Sequence, residues 1–204
     1  HYGDIWICKK YIPVIKEARN SGTGAKVKGP KLHDFLVDGQ FQFHGNTPKL
    51  QDNVHKINPQ DIIVISDKWH GTSSVFGNLL TKRKLSILER VVKFFGCKVV
   101  EQEYSKMYSS RTVLKSIENK YHTKDQGYYN TDIWGTVFEE VKDKLEIGIT
   151  LYGEIVGFTP SGSAIQGGYD YGCIPYAPDD LNIPHLPQHL FVVYRITKTD
   201  SHGN

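Results

Sequence analysis

The sequence has few cysteines, no long apolar run and no strong excess of charge of one sign. Its cysteines, Cys8, Cys97 and Cys173, lie far apart and outside any C-x-x-C pair, which argues against a disulfide framework and a structural zinc site. We expect buried free thiols instead. No stretch approaches the roughly 18 apolar residues of a membrane span, and residues 1–20 are too mixed and basic for a leader. These absences predict a cytoplasmic protein without a membrane partner.

The length and composition describe an ordinary globular unit. A chain of 204 residues and 23.2 kDa with 39% hydrophobic residues can bury a real core, as one large domain with at most a small appendage. The 25 Lys and Arg residues against 22 Asp and Glu give a net charge of +3, which by itself demands no polyanionic partner. Function must therefore be sought in local patterns.

The N-terminal segment, residues 1–34, differs in texture from the rest. It is locally basic, and after a strand-like start, Ile5 to Val14, it becomes rich in glycine and lysine. One interpretation is a solvated loop; the other is a segment that touches phosphates, with the strand belonging to a small β-barrel module. We take residues 35–204 as the main domain.

The main domain alternates strand-like and helix-like patterns with unequal spacing, which predicts a mixed α+β fold. An amphipathic helix is expected over Arg83 to Phe95, with Gly96 as its stop, and a second is expected after Asp132 as its cap. In the second helix, Trp134, Val137, Phe138, Val141 and Leu145 share one face. Strands are expected at residues 41–43, Asp61–Ser66, Ser73–Leu80, Lys98–Glu103, Ile149–Val156 and Leu190–Thr197.

The densest polar cluster follows the apolar run at 61–66 and reads Ser-Asp-Lys-Trp-His-Gly-Thr-Ser over residues 66–73. A lysine at the end of a buried strand is partly desolvated, which favours the neutral amine that can attack phosphorus. The spacing K-x-x-G alone is weak, because Lys26, Lys93 and Lys124 share it with Lys68. Only Lys68 lies between two predicted strands. The competing interpretation is a strand-end lysine in solvent.

Four segments in order resemble motifs of the covalent nucleotidyltransferases, specifically ATP-dependent RNA ligases of the phage RNA ligase 2 type. Residues 68–73 (KWHGTS) resemble the K-x-H-G-T motif I, and Ser110-Arg111 resembles motif Ia. Residues 151–157 (LYGEIVG) resemble motif III, and residues 190–196 (LFVVYRI) resemble motif IIIa. The segment 39–46 (GQFQFHGN) also resembles what phage members carry ahead of motif I. The resemblance implies mostly antiparallel sheets with flanking helices, in the front part of a ligase domain.

The sequence departs from that family in two places. Motif IV, an E-G strand, and motif V, a K-x-K strand, do not follow motif IIIa before Asn204, so the chain resembles a C-terminally truncated member of the family, shortened either naturally or artificially. Arg195 also stands where many of these ligases have an acidic residue.

The resemblance implies three steps that use ATP, Mg²⁺ and RNA. Lys68 attacks the α-phosphorus of ATP to give lysyl-AMP, and AMP then passes to an RNA 5′-phosphate. A 3′-hydroxyl finally attacks that activated phosphate and seals the strand. His70 is associated with the steps after adenylylation, and histidine side chains titrate near neutral pH, which suits phosphate contact.

The remaining implied roles concern the nucleotide. Asp67 reads the adenine amino group, Gly71 closes motif I, and Arg111 binds phosphate or the sugar edge. Glu154 contacts a ribose hydroxyl, a cation or a metal-bound water, because a carboxylate within an apolar strand is costly to bury without a partner. Tyr194 stacks on adenine, with Phe191 as the alternative. No protein residue is assigned as a direct metal ligand.

Each assignment has a plainer alternative: an ordinary turn aspartate at 67, a structural histidine at 70, a surface arginine at 111, a solvent-facing carboxylate at 154 and a core aromatic at 194. Two other functions also stay open. One is a nucleotide- or RNA-binding chain without catalysis; the other is a relative of DNA ligases or capping guanylyltransferases.

The loop from Thr159 to His189 has tyrosines that could stack bases and acids that would repel phosphate, so it carries no assignment.

Overall fold

A computed structural model describes residues 35–45, 48–124, 127–176 and 186–203. The helices are α1 (Leu50–Asn53), α2 (Ile87–Phe94) and α3 (Ile133–Val141), with 3₁₀ turns at Val54–Lys56 and Lys142–Lys144. The strands are β1 (Thr72–Lys82), β2 (Gln102–Ser110), β3 (Leu114–Ile117), β4 (Tyr121–His122), β5 (Ile149–Gly157) and β6 (His189–Lys198). The predicted strand Ile5–Val14, the rest of residues 1–34 and Cys8 lie outside the described residues.

The strands form one six-stranded antiparallel sheet in the order β4-β3-β2-β1-β5-β6. Strand β1 is central, and all of its residues from Ser74 to Thr81 are buried. Helices flank the sheet, so the mixed α+β class is confirmed. Helix α3, the longest in the described part of the chain, has 9 residues, and no described helix is long and apolar enough to cross a membrane.

Successive residues of a strand point to opposite faces, and β1 feeds two separate clusters in this way. Phe76 packs with the apolar face of α3 on one side, and Leu79 packs with Met107 and Ile117 on the other. Phe41 and Phe43 are half-buried against the second cluster and pack edge to face, with ring centroids 5.0 Å apart. Burial on both faces fixes β1, and thereby fixes the loop that precedes it.

Both predicted helices are present, but α2 begins four residues later than predicted, and α3 begins as predicted and ends at Val141, so Leu145 lies beyond it. Asp132 caps α3 by accepting a hydrogen bond from the Gly135 N–H at 3.2 Å, and Ile133, Trp134, Val137 and Phe138 are buried. Helix α2 begins after Ser86, which forms a capping box with Glu89, and it ends before Gly96. Its apolar side is exposed, however, since Leu88 and Phe95 retain most of their surface.

Three strand predictions need correction. The run Asp61–Ser66 is exposed and pairs with no strand, and the positions beside β1, the strand it leads into, are taken by β2 and β5. Residues 41–43 pack on the sheet without joining it. Strand β2 begins at Gln102, and Lys98–Glu101 precede it as exposed or half-exposed chain, because pairing with β1 starts at Lys82 opposite Gln102.

The late strands were predicted correctly: β5 and β6 match the runs at 149–156 and 190–197 within one residue at each end.

The cysteine prediction was half right. Cys173 is buried, and burial raises the pKa of its thiol, but Cys97 is exposed just beyond α2. Helix packing that would cover Cys97 is absent from the described part of the chain, in keeping with the exposed face of α2.

Candidate functional site

A cleft of about 960 Å³ lies beside the start of β1. Segment 66–71 forms one part of it, and the facing parts come from β5, β6 and the end of β2. The structure brings all the residues singled out in the sequence to this cleft: Asp67, Lys68, His70, Gly71, Arg111, Glu154 and Tyr194. They come from four segments that are up to about 130 residues apart in the chain, so the sheet alone makes them neighbours.

Glu154 ties the segment after Lys68 to the sheet. It lies opposite Ser73 in the β1–β5 register, and its carboxylate accepts hydrogen bonds from the Gly71 N–H at 3.2 Å and from Ser73 Oγ at 2.9 Å. The side chain is half-buried and lines the cleft. The solvent-facing alternative for Glu154 is therefore wrong.

Gly71 has no room for a side chain. A Cβ placed there would lie 2.1 Å from the carbonyl oxygen of Ile155 and 2.9 Å from Val156 Cγ1. The backbone of segment 66–71 thus runs directly against β5 as it enters β1. This close approach holds Gly71, three residues after Lys68, against the sheet.

Tyr194 reaches the cleft through a β-bulge. In the pairing of β5 with β6, Tyr152 lies opposite Arg195 and Gly153 lies opposite Val193, so Tyr194 is the extra residue. A bulge redirects side chains, which is a common device beside functional sites. The Phe191 ring packs on Phe76 in the core with centroids 4.6 Å apart, and it does not line the cleft. Of the two proposed stacking residues, only Tyr194 is in position.

Tyr194 lies among charged groups. Burial and, after it, the nearby Glu154 carboxylate raise the pKa of Tyr194 to about 12, and the Arg111 guanidinium partly opposes them. The phenol consequently stays protonated at neutral pH and can donate a hydrogen bond. Its ring meets His44 edge to face, with centroids 5.5 Å apart. Arg195, the departure from the resembled motif, lies instead over the Tyr152 ring at 5.0 Å.

Lys68 and Asp67 are exposed in the cleft lining. The sequence predicted a lysine held at the end of a buried strand, and this is wrong because segment 61–66 is itself exposed. Any desolvation of the Lys68 amine must therefore come from a ligand that fills the cleft. Lys49, Lys68 and Arg111 line the same cleft as Asp67 and Glu154, which leaves a small positive excess.

Four aromatic rings form a row at one wall of the cleft, which we call the aromatic array: Trp69, Tyr171, Tyr169 and His70. Consecutive ring centroids are 4.5, 5.9 and 4.7 Å apart, and the last two pairs are stacked. The Tyr171 hydroxyl also accepts a hydrogen bond from the His70 N–H at 2.7 Å. His70 is thus held by a loop one hundred residues further along the chain.

Sequence reasoning missed this loop and two other contributors. Tyr169 and Tyr171 were noticed but given no place, because a loop rich in glycine and proline has no periodicity from which a direction could be read. His44 was seen only within the segment ahead of Lys68, and Lys49 gave no signal beyond its charge. Each lines or borders the cleft through tertiary packing alone.

A comparison of the chain with protein-family models, curated proteins and solved structures found no match in any of the three. The cleft must therefore be interpreted from its own chemistry. It combines two exposed amines, two carboxylates, a guanidinium and two groups of aromatic rings.

The Glu154 contacts predict a measurable loss of stability in Glu154→Gln. The amide retains one acceptor oxygen and places an NH₂ group where the Gly71 N–H or Ser73 hydroxyl donates. We expect urea unfolding to show a loss of about 1 kcal/mol, reduced from the value for buried charge-assisted bonds because Glu154 is half-buried. Glu146→Gln, at an exposed carboxylate ahead of the same strand, is the control. Equal unfolding midpoints for both variants would contradict the assigned contacts.

Proposed function

We propose that the chain is a covalent nucleotidyltransferase of the RNA ligase type, which uses ATP to activate an RNA 5′-phosphate for joining to a 3′-hydroxyl. The observation that carries the proposal is the position of Lys68. Its segment is attached to Glu154 through Gly71, and both share one cleft with Arg111 and Tyr194. The four segments that resemble ligase motifs follow the order of that family along the chain. All four border this cleft, which supports the same function.

In the proposed reaction, the Lys68 Nζ forms a bond to the α-phosphorus of ATP while the bond from that phosphorus to the pyrophosphate oxygen breaks. The amine loses a proton to solvent and becomes a phosphoramidate. Arg111 is placed to bind phosphate, and Tyr194 offers a ring to the adenine. Bound ATP would also displace water around Lys68, which disfavours the ammonium, whereas the negative charges of its phosphates favour it. The second and third steps transfer AMP to the RNA end and release it on sealing.

The proposed reaction uses magnesium, and the cleft lining offers two carboxylates for it, although the described residues contain no cluster of three or more metal-ligating side chains. Mg²⁺ prefers oxygen ligands and is usually held by one or two carboxylates together with substrate phosphates. Glu154 and Asp67 supply carboxylates beside Lys68, and each Glu154 oxygen that accepts one hydrogen bond retains a second lone pair. When bound, the ion would supply charge neutralisation for the phosphates. Arg111 and the backbone at Gly71 would position the phosphates.

The test is covalent labelling of the whole chain. We expect ATP labelled at the α-phosphate, with magnesium, to leave a label on the denatured protein, and peptide mapping to place it on Lys68. Labelled GTP should leave no label on the protein. A guanylyltransferase would instead be labelled by GTP in preference to ATP. Absence of label from both nucleotides would reject the proposal and favour a chain that binds nucleotide or RNA without catalysis.

A further inference from the structure

The aromatic array contains three rings to which the proposed function gives no role: Trp69, Tyr171 and Tyr169. Trp69 stands at one end of the row. Within the described residues its only ring contact is with Tyr171, it lines the cleft, and 36% of its surface is exposed. An indole that is left partly open in the cleft offers a flat apolar surface on which a further ring can stack.

The array is built as a rigid platform. The Tyr171 hydroxyl fixes the His70 backbone, and the Gln188 side chain ties the loop by donating to the carbonyl oxygens of Thr159 and Pro175 at 2.9 and 2.7 Å. Tyr171 itself has a φ of 53°, in the left-handed region that costs a tyrosine energy. A surface ordered before binding loses little entropy when a ligand stacks on it.

The cleft holds a second aromatic pair, His44 with Tyr194, and no ring contact between described residues joins that pair to the array. Two separate stacking surfaces suit two separate bases. The proposed function places the adenine of ATP at Tyr194, which leaves the array for another base. The cations Lys49, Lys68 and Arg111 in the same cleft would attract the phosphates on either side of that base.

Asp170 is the acidic residue of the loop that the structure describes, and the three cations of the cleft outnumber it. The carboxylate of Asp170, between the two tyrosines of the array, accepts a hydrogen bond from the Gly172 N–H at 2.9 Å. It is therefore engaged in shaping its own turn. Asp179 and Asp180 lie outside the described residues.

We propose that Trp69 extends the aromatic array by stacking on an unpaired base of the RNA strand, next to the 5′-phosphate that receives AMP. This inference rests on the proposed function and names a subsite for its RNA substrate. It adds no chemical step: the platform binds and orients the strand so that its phosphate meets the nucleotide held at Lys68.

The test follows tryptophan fluorescence during titration with a short 5′-phosphorylated oligocytidylate, which contains no adenine. We expect the oligonucleotide to quench the fluorescence of the wild-type chain, and Trp69→Phe to remove that quenching. Trp134, the other described tryptophan, is buried and donates to the Ser73 carbonyl oxygen at 3.1 Å, so it should contribute little. In Trp69→Ala the dissociation constant should rise about tenfold or more, as expected for loss of one stacked base.

Tyr128→Ala is the matched control, because Tyr128 is 90% exposed and does not line the cleft. Its affinity for the oligonucleotide should equal that of the wild type. Quenching that persists in Trp69→Phe, or affinity unchanged in Trp69→Ala, would overturn the subsite, and so would quenching at Trp69 by ATP alone. ATP labelling of the wild-type chain is measured in parallel. A labelled chain without a Trp69 signal rejects only the subsite, whereas an unlabelled chain rejects the proposed function.

Discussion

Lys68→Arg is expected to lower covalent labelling by ATP at least about 10³-fold, the scale of loss when a nucleophile is removed. Arginine keeps the positive charge and the length of the side chain, but its guanidinium stays protonated and cannot attack phosphorus. Lys68 is exposed, so the free energy of unfolding should change by less than about 0.5 kcal/mol. The measurements are the labelling rate with α-labelled ATP and the urea midpoint on the same sample.

Lys93→Arg is the matched control for this result. Lys93 also has a glycine three residues on, Gly96, but it lies on α2 and pairs with Glu101 at 2.7 Å, away from the cleft lining. Its replacement should leave the labelling rate unchanged. Full labelling of Lys68→Arg would show that another group forms the bond to phosphorus, and the proposed mechanism would then fail at its first step.

Parts of the fold and site were open to prediction because their causes are local. Helix α3 could be predicted from the Asp132 cap and a regular apolar face, and β5 and β6 from apolar runs. The spacing around Lys68 pointed to the cleft because the segment leads directly into β1, whose extended pattern the sequence shows.

The errors have nonlocal causes. An apolar run such as 61–66 shows the composition of a strand but cannot show whether a neighbouring strand has a free edge. Strand β2 was misplaced because its serines and lysine conceal a buried alternation that includes Met107 and Ser109. The bulge at Tyr194 and the stacking of Tyr169 on His70 depend on register and loop closure, which pair residues far apart in the chain.

Gly71→Ala is expected to harm both folding and labelling, although it adds only a methyl group. The new Cβ would lie 2.1 Å from the Ile155 carbonyl oxygen, and Ile155 is the β5 partner of Thr72 at the start of β1. Either the first β1–β5 pair opens or segment 66–71 moves outward. We expect a loss of about 2–3 kcal/mol in unfolding free energy, typical of forced overpacking against fixed atoms.

The same displacement should reduce the labelling rate by about 10²-fold, because a shift of about 1 Å in a reacting group has an effect of that size. Gly71 donates to Glu154 and lies three residues from Lys68, so moving it disturbs both. Gly167→Ala is the control, since a Cβ there meets nothing within 4 Å and its backbone is not left-handed. It should match the wild type in urea midpoint and labelling rate. If Gly71→Ala behaved as Gly167→Ala does, the close approach of segment 66–71 to β5 would be wrong, and with it the placement of Lys68 in the cleft.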